Sequence, residues 1–405
     1  MEPYIYLYTL IVIALVISIF FTEYLKNKEP RLSIDISKDT HFYGNSVKNK
    51  SLSRLSKKYI TYTKYNNIIF KIVFIILTLY VATRRGSVGT DTQSYIDFFN
   101  HSHFYYNGAP TDIGFEMLGR ILHVISSNGN FFICVCGLIS MMSIYILIDR
   151  LSKDKVLSVF MFCCVATVFN FFFLYLSMVR QSVSLTFLFM SFYLLFEKKK
   201  IKTSIILYLI SISIHMSSLV SLPLILLLYY KNINKRIWFI AIVITYIMAG
   251  LNISVVNDVL SYIFGFLGDT TGHYAGYEDA NFGWIEAKGF YNAFIVPFNV
   301  FGLYMLYFST NKQLQDWKNK MFLISVVTSN IFFDNLMWGR LLLCFTMFSM
   351  IAIPNILYRK SLLHKLIFLL IFGSYYLLRS FRELSTNLFT EGNIIVPYTS
   401  WFLPF

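Results

Sequence analysis

Residues 66–95 read NNIIFKIVFIILTLYVATRRGSVGTDTQSY. An apolar run with one charge, Lys71, stops at Ala82, and Arg84, Arg85, Gly86, Gly89 and Asp91 follow at once. A run this long and apolar reads as a bilayer span, so the charged half lies at one membrane surface. The preceding segment decides which surface. Residues 22–65 carry ten Lys or Arg against four acids, and such loops stay cytoplasmic. The RRGSVGTD turn is therefore predicted outside.

The rest of the chain extends that reading. Of 405 residues, 56% are hydrophobic and 14% charged, with mean hydropathy +0.59, too little polar surface for a soluble domain. Further apolar runs lie near 4–21, 130–148, 156–174, 178–196, 237–255, 290–308, 321–336, 340–357 and 365–379. With 66–82 they make about ten spans. The expected fold is an all-α polytopic membrane protein forming a single integral domain over 1–405. The N-terminal run MEPYIYLYTLIVIALVISIFF lacks a basic leader and a cleavage site, and reads as a retained span. The net charge of +14 lies mostly in short inter-span loops, which fits topology better than nucleic acid. Cys134, Cys136, Cys163, Cys164 and Cys344 all fall in apolar segments, so no disulfide framework, metal or cofactor is expected.

One segment does not thread simply. Residues 203–230 lie between EKKKIK and KNINKR, two loops that both belong in the cytoplasm. A single crossing cannot satisfy both. Ser211, Ser213, His215, Ser217, Ser218, Ser221 and Pro223 break the apolar run midway, and a re-entrant helical hairpin bent there resolves the conflict. Loops 83–129 and 256–289 then lie outside, as does the tail from 380.

This threading sorts the cations by type. Arg84, Arg85, Arg120, Arg180, Arg340, Arg379 and Arg382 fall outside with only Lys288, while the inner loops DRLSKDK, EKKKIK, NKQLQDWKNK and YRKSLLHK are lysine-rich. The positive-inside rule explains the lysines and leaves the outer arginines unexplained. A guanidinium binds phosphate with a planar fork, whereas an ammonium acts as a point charge. The outer face is therefore predicted to hold a phosphorylated substrate.

Arg180 and Arg340 each stand at the outer end of a span, and at Arg340 a helix start adds free N–H groups favourable to an anion. The alternatives are a snorkelling Arg180 and an Arg340–Asp334 ion pair. Asp91 either takes a proton from a sugar hydroxyl or orients Arg84. Glu116 is either a general base or the i,i+4 partner of Arg120. His215 is either a base or a buried histidine bonded to a serine or carbonyl. Tyr95, Gln181, His273, Arg382 and Tyr398 complete the candidate substrate-binding residues. His101, His103 and Asp97 lack diagnostic metal spacing.

In order along the chain, VGTDTQSY, EMLGRI, MVRQSVSLTFLFMSFYLL, ISIHMSSLVSLPLILL, WGRLLLCF and IIVPYTSWF resemble the EpsG-like branch of Wzy-type polysaccharide polymerases. The resemblance runs from about residue 80 onward, and 22–65 lies outside it. It implies a GT-C-like, lipid-dependent glycosyltransferase of the bacterial inner membrane. Such enzymes act at the periplasmic face on undecaprenyl-pyrophosphate-linked oligosaccharides and move the growing chain onto a newly flipped unit. It matches Arg180 and Arg340 to the pyrophosphate arginines and Arg84, Asp91, Glu116 and His215 to other polar positions of the pattern, and leaves the base open. Arg84 and Arg85 join the candidate pyrophosphate ligands, and the acceptor hydroxyl needs a base, for which Asp91, Glu116 and His215 rank in that order. Membrane lipids, a Wzz-type chain-length regulator and a flippase are the implied partners. An O-antigen ligase and a flippase or exporter of the same lipid-linked sugar are the rival readings.

Overall fold

The computed structural model describes residues 2–38, 65–100, 112–164, 171–230, 233–251, 253, 295–332, 342–358, 360–385 and 398–401. The side chains of 21–38, 227, 229, 230, 382 and 383 fall outside that description. Among the described residues the protein is helical, and its only extended pairing is an isolated antiparallel bridge, Arg84 to Ser400.

Among the described residues, five helices are long and apolar enough to cross a membrane: Glu2–Phe20, Tyr65–Ala82, Gly129–Leu151, Val179–Glu197 and Leu362–Phe381. The other predicted crossings correspond to shorter helices. In chain order the elements are α1 (Glu2–Lys38), α2 (Tyr65–Ala82), α3 (Thr92–Asn100), α4 (Ile113–Ile125) and α5 (Gly129–Leu151). Then come α6 (Lys155–Cys164), α7 (Phe171–Ser177), α8 (Val179–Phe192, extended by a π turn to Glu197), α9 (Ile201–Ile214) and α10 (Ser221–Tyr230). The remainder are α11 (Lys235–Gly250), α12 (Val296–Phe308), α13 (Trp317–Ile331), α14 (Ser349–Leu357), α15 (Leu362–Phe368) and α16 (Ser374–Ser385). Beyond its apolar run, α1 stays helical through Lys38. Apart from Pro30 the run contains helix-tolerant residues, and an established helix propagates into them cheaply.

Hydroxyl seams set the helix neighbours. Ser184 Oγ donates to Ser211 O at 2.9 Å, and Ser191 Oγ donates to Ser204 O at 2.9 Å. One partner advances by seven residues while the other retreats by seven, so α8 and α9 are antiparallel. Ser140–Ser182 at 3.0 Å and Ser143–Thr186 at 3.3 Å advance together, so α5 and α8 are parallel. Serines let helices approach closely, and each inter-helix bond in a bilayer contributes about 0.6 kcal/mol.

The segment after α9 reverses. His215 is extended, and Met216–Val220 forms a 3₁₀ turn. Ser211 Oγ then lies 2.9 Å from Ser218 Oγ, and Tyr208 Oη donates to Ser218 O at 3.1 Å. In a continuous helix, residues ten apart would be separated by roughly 15 Å. Both ends of this segment lie together: Ser204 bonds Ser191, Gln315 Nε2 donates to Ile233 O at 2.8 Å, and Lys318 pairs with Glu197 at 2.8 Å. Its middle, at His215, lies at the opposite end of α8.

Among the described residues, two large apolar clusters and a small one at Ala249 and Ile295 fill the interior. The largest packs α1, α2 and α5–α8 with α12–α16. A smaller one, comprising Phe98, Phe99, Phe115, Leu122, Phe132, Ile133, Cys136, Val179, Val183 and Ile214, joins α3 and α4 to the starts of α5 and α8 and the end of α9. This second cluster positions the candidate site.

Candidate active site

The loop after α2 is docked by local backbone chemistry. Gly89 has φ +90°, and a Cβ there would lie 2.3 Å from Leu176 O, so only glycine fits this close approach. Thr92 Oγ1 donates to Val88 O at 2.7 Å and to Leu176 O at 3.3 Å. The loop is thereby held against the α7–α8 corner, beside Arg180. Asp91 and Tyr95 come with it, and the Tyr95 phenol lies within electrostatic reach of Arg180, Asp91 and Asp112. Burial pushes that phenol up to about 12, so it stays protonated.

From the other side, α4 brings Asp112. A Cβ on Gly114 would lie 2.3 Å from Ser213 Oγ, so α4 sits directly on the last turn of α9. Asp112 occupies the N-cap position of α4 but makes no capping bond. Asp at this position ordinarily accepts from the helix N–H groups, a contribution of about 1 kcal/mol. Instead, its Oδ2 lies 3.3 Å from Arg180 Nη1 and 3.3 Å from His215 Nδ1. One carboxylate oxygen thus ties the start of α8 to the bend after α9.

All three side chains are partly accessible, at 28% for Arg180, 18% for Asp112 and 20% for His215. Burial pulls the imidazole below its ordinary value, opposed by the Asp112 hydrogen bond, so His215 is neutral at pH 7. With Nδ1 on the carboxylate, Nε2 is directed away from Asp112. Arg180 uses one nitrogen of its fork on Asp112, and its Nε has no hydrogen-bond partner. The arrangement offers an anion-binding fork, an oriented neutral base and a phenol donor within one cluster.

The predicted residues separate. Arg180, Tyr95, Asp91 and His215 are brought together, and Gln181 follows Arg180 in the first turn of α8. Glu116 pairs with Arg120 on the exposed face of α4, the alternative weighed from the i,i+4 spacing. Arg84, expected at the anion, is 1% exposed and donates to Val81 O and, at 3.4 Å, to Thr92 Oγ1. Burial lowers its pKa to about 10, and it remains charged. Arg85 Nε donates to Ser400 O at 3.1 Å. Tyr398, expected to touch substrate, is buried against Tyr4 and Tyr80 and donates to Tyr80 O at 2.9 Å. Backbone bonds from Arg85 N to Thr399 O at 3.0 Å and from Trp401 N to Thr83 O at 3.1 Å make a latch between residues 83–85 and 399–401, to which Arg85 Nε adds its bond to Ser400 O. Arg340, Asp334, His273, His101 and His103 lie outside the described residues, as does the side chain of Arg382. Asp112 was not anticipated. An aspartate directly before an amphipathic helix was the available signal, and it resembles an ordinary cap.

A family model described as the EpsG family matches residues 67–400. The chain belongs to the EpsG family. The EpsG match starts at α2 and ends in the latch, leaving α1 and residues 22–66 beyond it. Among curated proteins and among solved structures, no match is found. Membership and the five apolar helices make this a multi-pass membrane protein of the polysaccharide-polymerase kind. Among the described residues, no group of three or more His, Cys, Asp or Glu could hold a metal ion.

Proposed function

We propose that this EpsG-family protein polymerises undecaprenyl-pyrophosphate-linked oligosaccharide units at the periplasmic face of the inner membrane. The observation that carries this reading is the Asp112 carboxylate joining Arg180 and His215 at one end of α8. A polymerase needs charge stabilisation on a departing diphosphate and a base for an incoming hydroxyl. Those two groups lie there together.

In the proposed reaction the acceptor hydroxyl oxygen attacks the anomeric carbon of the growing chain. The new C–O bond forms as the anomeric bond to the lipid diphosphate breaks, and the bonding pair leaves with the diphosphate. Arg180 stabilises the charge gathering there. His215 Nε2 takes the hydroxyl proton, while Asp112 fixes the imidazole through Nδ1 and stabilises the imidazolium. Tyr95 can donate to a sugar or phosphate oxygen. This order places His215 ahead of Asp91 and Glu116 as base. Arg340 is carried from sequence as the second diphosphate ligand, with His273 and Arg382 as further substrate contacts. The diphosphate is already a good leaving group, so no cofactor is invoked. A chain-length regulator and a flippase fit the same pathway position.

The decisive experiment replaces Arg180 or His215 by Ala in the producing host and resolves surface polysaccharide on a gel. Loss of long chains with retention of single-repeat product is expected. A ligase or flippase defect would instead remove attached repeats altogether, and unchanged long ladders would refute the assignment.

A further inference from the structure

The end of the molecule remote from Arg180 holds a cavity that the polymerase reading does not use. It has a volume of about 130 Å³ and is lined by Lys153, Ser309, Gln313, Asp316, Asn319 and Lys360, among others. Arg180 and Glu197 bracket α8, roughly 25 Å apart at 1.5 Å per residue. Glu197 pairs with Lys318, adjacent to the cavity wall. This is therefore a separate site on the lysine-rich face.

Three loops meet here. DRLSKDK contributes Lys153, NKQLQDWKNK contributes Gln313, Asp316 and Asn319, and YRKSLLHK contributes Lys360. Their convergence is built rather than incidental. Asn355 accepts from the Lys153 backbone N–H at 2.7 Å and donates to Leu151 O at 2.9 Å. Thr310 and Gln313 close a reciprocal capping box over the turn Asn311–Leu314. Asn319 Nδ2 donates to Gln313 O at 2.8 Å.

The lining chemistry favours an anion. Asp316 is already engaged, paired with Lys318 at 3.0 Å and accepting from the Lys318 backbone N–H. Lys153 and Lys360 bring two cationic side chains to the lining. Ser309 is 5% exposed, lines the cavity, and its hydroxyl has no hydrogen-bond partner. A buried hydroxyl without a partner costs about 1–3 kcal/mol unless a ligand satisfies it. Two ammonium groups and a hydroxyl donor suit a phosphate.

The flank favours a lipid as its source. Val300, Leu303 and Tyr307 of α12 form one exposed apolar stripe leading to Phe308, which lines the cavity and lies under Lys360 Nζ at 3.7 Å. A stripe running from the apolar helix surface to a cationic cavity matches an acyl chain and its headgroup. We propose that this cavity binds the phosphate headgroup of an anionic phospholipid in the leaflet on the lysine-rich face.

The test is native mass spectrometry of the purified full chain with phosphatidylglycerol, phosphatidylcholine or inorganic phosphate. Preferential retention of phosphatidylglycerol is expected. It should fall about tenfold in Lys153→Ala/Lys360→Ala, the loss expected when two charge-assisted contacts of modest strength are removed. Lys153→Arg/Lys360→Arg should keep the preference, and so should Arg180→Ala, which separates this site from the polymerase reading. Because Lys153 is exposed, the single Lys153→Ala variant provides a folded control with a smaller loss. Equal retention of both lipids, or an undiminished preference in the double alanine variant, would overturn the proposal. So would phosphate binding by lipid-free protein without any phosphatidylglycerol preference.

Discussion

Arg84 and Arg180 are predicted to do the same job from the same sequence logic, and the structure puts them to different uses. Arg84 is buried, and its guanidinium is spent on Val81 O and Thr92. Arg180 is partly accessible, holds Asp112 with one nitrogen, and keeps a buried Nε that has no hydrogen-bond partner. Residue type marks both positions as exceptional. Only the surroundings separate a structural arginine from one available to a ligand.

The largest effect that could break this comparison comes from the loop both arginines depend on. Gly89→Ala places a Cβ against Leu176 O in a backbone region closed to alanine. Little folded protein should be recovered from membranes, as measured by detergent-solubilised size-exclusion yield. Next, Arg84→Ala should lower stability by about 3 kcal/mol, since it empties a buried site and strands its acceptors. A melt should report that loss. Arg180→Ala should instead melt normally and reduce turnover by about 10²–10³-fold, the scale of one lost charge-stabilising donor. Equal melting losses for the two variants would erase the distinction.

The Asp112–His215 pair sharpens the comparison through pH. Only neutral His215 can accept a proton, so turnover should fall as pH drops below the ordinary histidine value of about 6.5. Asp112 raises the His215 pKa, against the larger lowering by burial. Asp112→Asn should therefore slow the reaction and also move the acid limb to lower pH. A merely structural Asp112 would change the rate and leave the limb in place. The smallest effect is Tyr95→Phe, which removes one hydroxyl within electrostatic reach of Arg180 and should cost under about tenfold in turnover.

The fold class was legible because bilayer spans impose a length and a composition. The seam chemistry was legible only as a stripe. Ser211 and Ser218 mark a bend when read along one segment, but Ser184 and Ser191 show that the same stripe also joins two helices. Arg180, Tyr95 and His215 could be nominated from residue type and position. Asp112 could not, because a carboxylate diverted from capping looks like one that caps. Tyr398 shows the converse, a tyrosine near the chain's end whose partners lie some three hundred residues earlier. The continuation of α1 through Lys38 was hidden by polarity, which predicts solvation better than it predicts backbone conformation.

The bridge between Arg84 and Ser400 also constrains topology. Two strands of chain that exchange backbone hydrogen bonds stand on one side of a bilayer, so the chain between them traverses the lipid an even number of times. Taken as crossings, the apolar runs expected from sequence between Thr83 and Tyr398 add up to an even total when residues 203–230 turn back, and to an odd one when they pass straight through. A single backbone contact between the second helix and the closing segment thereby acts as a parity check on every insertion step between them.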